Sequence, residues 1–429
     1  PTGEIMHFVI IGNGITGVTA AREIRKRQPR WRITMISAES ERHWSRPALM
    51  YVYMGHMRLQ DTQPYPDHFW AKNRIDLVRA HVSGIDVSSR TLTFAGGGAM
   101  TYDKLLVATG SQPNRFGWPG QDLARVQGMY SLQDLELLEQ NSVGLSHAVI
   151  VGGGLIGIEM AEMLHSRGVH VTFLVREERY WSNILPTEES RIIERVIAAE
   201  GIDLRLGTEL TEIHGDERGE ACAVTTSSGD RIACQLVGLT AGVRPNLSAV
   251  AGSAIETARG VLVDDTLATS APHVWAAGDC AEIRRPEGAR NLMQQVWYTG
   301  RLQAEVAAAN ICGDEAPYDP GIWFNSAKFF DLEWQTYGMV PSRPGEGQRS
   351  LYWEAPDQRT CMRLVANGDG TLHSMHAFGI RYRHRVCEAW IRDRLPISEV
   401  LDRLPEANFD PEFYKRHERQ IAAAMRSQL

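Results

Sequence analysis

The stretch that decides the fold is His7-Phe8-Val9-Ile10-Ile11-Gly12-Asn13-Gly14-Ile15-Thr16-Gly17. An apolar run without polar alternation is what a parallel strand buried on both faces requires. Glycines then follow in G-x-G-x-x-G spacing, and Val18 to Arg27 carries a helical pattern closed by Pro29. Strand, glycine turn and helix, in that order, is the setting in which this spacing carries meaning. The first glycine permits the tight turn, the second lets backbone approach a pyrophosphate, and the third lets the helix pack closely on the strand. The anion then rests on the helix N-terminus. A second strand, Arg32 to Ser37, leads to Glu39, whose carboxylate is placed to accept hydrogen bonds from an adenosine ribose.

The pattern recurs. His147 to Val151 is a second buried-type strand, followed by Gly152-Gly153-Gly154-Leu155-Ile156-Gly157. A helix from about Ile158 to Ser166 stops at Gly168, and Val169 to Val175 is the next strand. One supersecondary unit therefore occurs twice, as a domain-scale duplication. In this copy the strand ends on Val175 and Arg176 instead of an acid. Losing the carboxylate removes a repulsion against a 2′-phosphate, and Arg176 can pair with one. Glu177 and Glu178 are close enough to restore a ribose contact, so NADPH and NADH both stay open.

The rest of the chain fits an α/β protein of 429 residues. That length suggests two to four domains at roughly 100–200 residues each. A net charge of −7 argues against a general nucleic-acid or anionic-membrane binder. No apolar run approaches the ~18–20 residues of a membrane span. The first strand begins so early that no signal peptide is expected. The six cysteines form no C-x-x-C pair and no metal-like spacing with histidine, which reads as reduced thiols in a cytoplasmic protein without a metal site.

Between the two copies lie a strand at Arg90 to Phe94, a turn at Gly96 to Gly98, and a strand at Lys104 to Ala108 ending in Thr109-Gly110. Trp118-Pro119-Gly120 reads as a linker into the second copy. A strand at Leu236 to Thr240 precedes Gly242 to Asn246, which reads as the return linker. From about Pro317 the texture changes to strands at Gln335 to Val340, Arg349 to Glu354, Cys361 to Val365 and Leu372 to Phe378, then a helical tail. This predicts a third, α+β domain.

Three further motifs accompany the fingerprints: Tyr102 to Pro113 (YDKLLVATGSQP), Leu239 to Asn246 (LTAGVRPN) and Thr269 to Ala281 (TSAPHVWAAGDCA). Together, over residues 6 to about 315, they resemble the FAD- and NAD(P)H-dependent pyridine nucleotide-disulfide oxidoreductase family. The resemblance implies two Rossmann-type domains, with the FAD domain split into 1–119 and 243–316, the NAD(P)H domain at 120–242, and the α+β domain at 317–429. It implies FAD contacts from Gly12, Asn13, Gly14, Ile15, Thr16, Gly17, Glu39, Ser40, Val82, Ala108, Thr109, Gly110 and Gly278, with Asp279 on the ribityl chain. NAD(P)H would meet Gly152, Gly154, Leu155, Ile156, Gly157, Glu159, Val175, Arg176 and Gly242. The strand Val274 to Ala277 feeds Gly278-Asp279, and a helix just beyond is expected to aim its positive end at the flavin pyrimidine edge, where reduced flavin gathers negative charge.

Glu41 to Met57 holds no cysteine, where the family's disulfide reductases carry a reactive one. A dithiol relay is not expected, and Cys280 reads as a small buried residue. Trp44 to Leu49 instead resembles the (Y/W)-x-R-P-x-L element of the ferredoxin-, rubredoxin- and nitrite-reductase-like branch, which implies Arg46 and Pro47 near the flavin. In that branch Glu159 would face flavin and nicotinamide, paired with a lysine; here that position is Tyr51. A buried, unpaired glutamate has a raised pKa. Phe324 to Lys328 stands where the branch carries a Trp-Ser-Asp-Gln-like element, with Lys328 an unexpected cation and a second catalytic candidate. Trp297 is the aromatic chosen to wall the isoalloxazine ring. Arg381, Arg383, His384 and Arg385 either dock an acidic carrier or form a solvated face. The expected activity is hydride transfer from NADPH or NADH to FAD, with electrons passed to a small iron–sulfur carrier. A reductase of a small acceptor (oxygen, a quinone, a sulfur compound) and a slow flavin sensor resembling apoptosis-inducing factor stay open, as does a homodimer.

Overall fold

The computed structural model describes residues 5–286, 288–409, 412 and 415–429. Their contacts divide the chain into two compact units. The first comprises the described residues of Pro1–Phe116 with Gln127–Val143 and Leu239–Pro320; the second comprises Gly117–Val126, Gly144–Gly238 and the described residues of Gly321–Leu429.

In the first unit the opening fingerprint sits at the centre of a five-stranded parallel sheet. Its order is Val274–Ala276, Lys104–Val107, His7–Ile11, Arg32–Ser37, Ile75–Arg79. Phe8, Val9 and Ile10 are fully buried, as an unbroken apolar strand between covered faces demands. The helix Ile15–Arg27 packs Val18, Ala20, Ala21 and Ile24 on this sheet. The helix Leu132–Asn141, capped by reciprocal bonds between Ser131 and Asp134, also belongs here although it precedes the second fingerprint.

The second unit repeats the arrangement, with sheet order Asp203–Arg205, His170–Leu174, His147–Val151, Leu236–Leu239, Val126–Gln127. The duplication extends to side chains. His7 Nε2 meets Thr34 Oγ1 at 2.9 Å in the first sheet, and His147 Nε2 meets Thr172 Oγ1 at 2.9 Å in the second.

The C-terminal segment adds an antiparallel sheet ordered Phe324–Phe329, Leu332–Tyr337, Leu372–Phe378, Cys361–Ala366, Arg349–Glu354. Alternation sorts its residues. Leu351, Trp353, Met362, Leu364, Met375 and Ala377 pack on the helices His384–Arg392, Ile397–Ala407 and Glu418–Arg426 through Trp390, Leu404 and Ile421. The opposite face carries Arg363 and His376, and the helix Thr187–Ala199 covers it with Glu189. Both faces of its interior strand Cys361–Ala366 are therefore covered, and all six residues of that strand are buried.

Two expectations need correction. The strand placed at Gln335 to Val340 runs instead over Leu332–Tyr337, because a tight turn at Phe330 and Asp331 (φ 45° and 62°) pairs it with Phe324–Phe329. No helix follows Gly278-Asp279. A single 3-10 turn, Gly278–Cys280, passes directly into the short strand Ala281–Ile283, since that segment is needed to pair with Val261–Val263. Among the described residues no helix is long and apolar enough to cross a membrane.

Candidate cofactor cradles

In the first unit the three fingerprint glycines do three different things. Gly12 has φ +116°, and a Cβ there would lie inside the Ala108 carbonyl. A Cβ on Gly17 would run into the Gly12 carbonyl. Gly14 has an ordinary φ of −67° and nothing within 4 Å of its Cβ position. The outer two glycines are thus demanded by the protein's own packing, and the middle one faces free space. The helix Ile15–Arg27 starts there with no side-chain cap and no acidic residue in its first turn. Its unpaired N–H groups and positive end suit a phosphate. By contrast the helix Leu132–Asn141 satisfies its N-terminus with Ser131 and Asp134. A pyrophosphate fits the first end and has no place at the second.

Around this turn the side chains are fixed by one another. Asn13 Nδ2 donates to the Ser40 carbonyl at 2.9 Å, and His43 Nδ1 meets the Asn13 carbonyl at 2.8 Å. Burial holds the His43 imidazole down at about 4, so it stays neutral. Glu39 is not a free carboxylate. Arg46 grips it bidentately, Nη1 to Oε1 at 2.9 Å and Nη2 to Oε2 at 2.7 Å, and the Leu132 N–H donates to Oε1 at 2.9 Å. Oε2 keeps a lone pair for a ribose hydroxyl. A cleft of about 220 Å³ opens beside it, lined by Glu39, Ser40, Arg42, Trp44, Arg79 and Gln133 among others. The Arg46 guanidinium lies over the rings of Trp44 and Tyr130, 4.7 and 4.4 Å from their centroids, and donates to the Tyr130 carbonyl. Pro47 opens the short 3-10 turn Arg46–Ala48. Val82 is buried at the start of the strand Val82–Asp86.

Asp279 is brought to the same side of the sheet. It accepts from Ser111 Oγ at 3.0 Å, and Gln295 Nε2 donates to that Ser111 oxygen at 3.0 Å. Burial pushes the Asp279 carboxyl up, against the opposing pull of Ser111, Arg46 and Tyr130. Ala108 to Gly110 lead into Ser111–Pro113, with Thr109 Oγ1 donating to the Asn246 carbonyl. The positive helix end expected beyond Asp279 comes from Trp297–Ile311 instead. That helix has no side-chain cap and packs on the Gly278 turn, where Gly300 lies against Thr16. Trp297, its first residue, is half-buried and edge-on to Tyr298. Cys280 is fully buried and donates to the Val107 and Ala277 carbonyls, and burial pushes its thiol up.

The second unit holds the second cradle. Gly152 has φ +108°, and the helix Leu155–Ser166 begins at Gly154 without a side-chain cap or an acid in its first turn. Val175 is buried, and its methyl carbon would lie 2.9 Å from a Cβ on Gly153. Arg176 is exposed and pairs with Glu177 at 3.2 Å. The Trp181 indole N–H donates to the Gly153 carbonyl, and its ring meets Tyr180, Phe329 and Trp334. Burial pushes the Glu159 carboxyl up to about 8, and the Glu162 carboxylate adds to the shift. Lys328 is exposed on the strand Phe324–Phe329, opposite Glu333. Gly242 falls in the first unit, at φ +84° beside Asn114, whereas the other nicotinamide-site candidates fall in the second. Among the described residues no cluster of three His, Cys, Asp or Glu could hold a metal.

Sequence reasoning missed Ser111, Tyr130, Gln295, Trp181 and Glu162. Ser111 had a signal, directly following the Ala108-Thr109-Gly110 motif. Tyr130 had none, because it reaches Arg46 and Ser111 from a distant loop.

Comparison with known proteins agrees with this geometry. The sequence profile of the pyridine nucleotide-disulphide oxidoreductases matches residues 6–296. The rubredoxin-NAD(+) reductase of Pseudomonas putida is 29% identical over 322 residues, covering 74% of this chain and 83% of that protein. The ferredoxin–NAD(+) reductase component of the biphenyl dioxygenase system of Paraburkholderia xenovorans is 30% identical over 91% of this chain and 94% of its own. Among solved structures, a ferredoxin reductase from Rhodopseudomonas palustris superposes with a TM-score of 0.78 at 26% identity, covering 87% of this chain and 91% of that one. The chain belongs to the pyridine nucleotide-disulphide oxidoreductase family and is an FAD-dependent NAD(P)H oxidoreductase.

Proposed function

We propose that the electrons leave for a small iron–sulfur carrier protein of the ferredoxin or rubredoxin type. FAD, when bound, accepts a hydride from NAD(P)H and releases electrons singly. The chain's own residues bind and orient. Gly14 and the free N–H groups of Ile15–Arg27 hold the pyrophosphate, Glu39 and Ser40 the adenosine, and Asp279 the ribityl chain. Ala108, Thr109, Gly110, Pro47 and Trp297 shape the ring's surroundings. The positive end of Trp297–Ile311 favours negative charge on the ring. Gly152 to Gly157 and Arg176 hold the nicotinamide dinucleotide, with Glu159 at the nicotinamide.

The observation that carries the choice of acceptor is the thiol inventory. Glu41 to Met57 contains no cysteine, and Cys280 is sealed and protonated. A thiol relay therefore has no cysteine in that segment and no exposed one at Cys280, and relatives of this chain are reductases of rubredoxin and of ferredoxin by their names. Steady-state turnover with NADH or NADPH against a ferredoxin, a rubredoxin and air-saturated buffer tests it. Carrier reduction at least tenfold faster than oxygen consumption is expected. Oxygen or a quinone as the fastest acceptor would overturn this reading.

A further inference from the structure

The two fingerprints share more than their glycines. In each, one carbonyl of the loop is held by a buried ring N–H from the segment that follows the second strand, Arg32–Ser37 in the first copy and His170–Leu174 in the other. In the first copy the carbonyl belongs to Asn13, between Gly12 and Gly14, and His43 Nδ1 meets it at 2.8 Å. A carbonyl only accepts, so the His43 ring carries a proton on Nδ1. In the second copy the carbonyl belongs to Gly153, between Gly152 and Gly154, and the Trp181 indole N–H donates to it. Asn13 and Gly153 occupy the same position of the duplicated unit, whereas their donors differ in everything except a ring N–H. Both rings are braced. His43 lies 6.2 Å from the Tyr65 ring. Trp181 stacks on Tyr180 at 5.2 Å and meets Phe329 and Trp334 of the C-terminal sheet edge-on at 6.0 and 5.7 Å. Trp181 also sits at φ +54°, a left-handed backbone that a bulky residue keeps only where its surroundings hold it.

A peptide group is planar and trans, so its carbonyl and the following N–H point in opposite directions. Holding the Asn13 carbonyl on His43 turns the Gly14 N–H away from that ring, and holding the Gly153 carbonyl on Trp181 does the same for Gly154. Among the described residues neither N–H meets a protein acceptor. Gly14 and Gly154 are the N-cap residues of Ile15–Arg27 and Leu155–Ser166, so each joins the free donors of a helix N-terminus. We propose that His43 and Trp181 are equivalent positioning residues, one per cradle: each holds one loop carbonyl so that the next N–H, of Gly14 or Gly154, is presented to a cofactor pyrophosphate. Released, the peptide is free to flip and turn its oxygen, a partial negative charge, towards the anion. This deepens the assignment of FAD to the first cradle and NAD(P)H to the second, and rests on it.

The test is calorimetric titration of FAD-loaded protein with ADP-ribose, which carries adenosine and pyrophosphate but no nicotinamide. Gly154→Val abolishes binding; if a folded Gly154→Val protein still binds, the second cradle does not hold the nucleotide and the underlying assignment falls. Given that result, Trp181→Phe, which keeps an aromatic ring and loses the N–H, weakens ADP-ribose about tenfold, the size of one lost buried hydrogen bond. It raises KM for NAD(P)H in step and leaves the limiting rate of flavin reduction, FAD retention and Tm near wild type. His43→Leu raises the FAD dissociation constant about tenfold and leaves ADP-ribose binding by the refilled protein unchanged. His43→Asn, whose amide N–H stands where Nδ1 stood, restores FAD affinity. Unchanged affinity for its own ligand in either Trp181→Phe or His43→Leu overturns the proposal. So does loss of both ligands with a lowered Tm, the mark of a merely structural role.

Discussion

The buried ion cluster of the second unit gives a prediction that can be worked through. Arg363 is 5% exposed and Glu189 is fully buried. Arg363 Nε donates to Glu189 Oε1 at 2.6 Å and Nη2 to Oε2 at 2.8 Å; Nη1 reaches Ser350 Oγ, and Nη2 also Glu188. His376 Nδ1 adds a contact to Glu189 at 3.3 Å. Burial alone would raise the Glu189 carboxyl, but His376 and Arg363 overcome it and hold the group at about 2 instead of 4.5. At roughly 1.4 kcal/mol per pH unit that difference corresponds to about 3 kcal/mol of folding free energy. Arg363→Met leaves an uncompensated carboxylate in the interior, a change that costs about 3–5 kcal/mol. At roughly 2–4 °C per kcal/mol the melting of this unit should fall by about 6–20 °C. Thermal scanning at pH 7, with proteolysis at the helix Thr187–Ala199 as a second probe, reads the effect. Glu189→Gln added to Arg363→Met should recover most of the loss, because the stranded charge is gone. The pH sense is fixed. Glu189's contribution is full above about pH 4.5 and disappears as pH falls towards 2. Burial holds His376 below its ordinary value, so the unfolded chain takes up its proton first and stability also declines below about pH 6.5. A fall of less than about 2 °C in Arg363→Met, or no recovery in the double variant, would refute this reasoning.

The cradles give sharper qualitative contrasts. Gly14→Val should fold and melt like wild type yet purify depleted of flavin, because its side chain enters only the space left for a pyrophosphate; yellow protein would contradict the assignment. Gly12→Ala should lose about 3 kcal/mol or more even without cofactor, since it strains a positive φ and collides with Ala108. Arg46→Ala should free Glu39 and raise the dissociation constant for FAD about tenfold or more, measured by flavin fluorescence on dilution. Cys280→Ala should keep turnover with the carrier within about twofold of wild type, because the thiol is sealed and protonated; a hundredfold loss would restore a thiol step.

The parts legible in the sequence were those encoded locally. Gly12, Gly14 and Gly17 sit within six residues, and strand and helix flank them, so the turn's demands and the open space at Gly14 could be read from spacing. The strands His7–Ile11, Arg32–Ser37 and His147–Val151 fall where their apolar runs put them. What escaped was written across distance. The Gly278 turn is followed by a strand because Val261–Val263 needs a partner, and the helix that serves it starts at Trp297. The strand register near Gln335 was set by a two-residue turn at Phe330-Asp331, where Phe330 is not a usual left-handed residue. Arg363 reads as an ordinary charge in a strand, and only the helix carrying Glu189, from another part of the chain, makes it a core residue. Glu39 looked free from sequence because Arg46 could not be seen to grip it.

The account's central claim is that electrons pass through the flavin alone, with no sulfur store beside it. Anaerobic titration of the FAD-loaded protein with NADH or NADPH, followed by flavin absorbance, counts them directly. Complete bleaching after about one nucleotide per FAD, without a long-wavelength thiolate-to-flavin band at any stage, is the predicted result. Uptake of a second equivalent, with free thiols appearing as it proceeds, would contradict it.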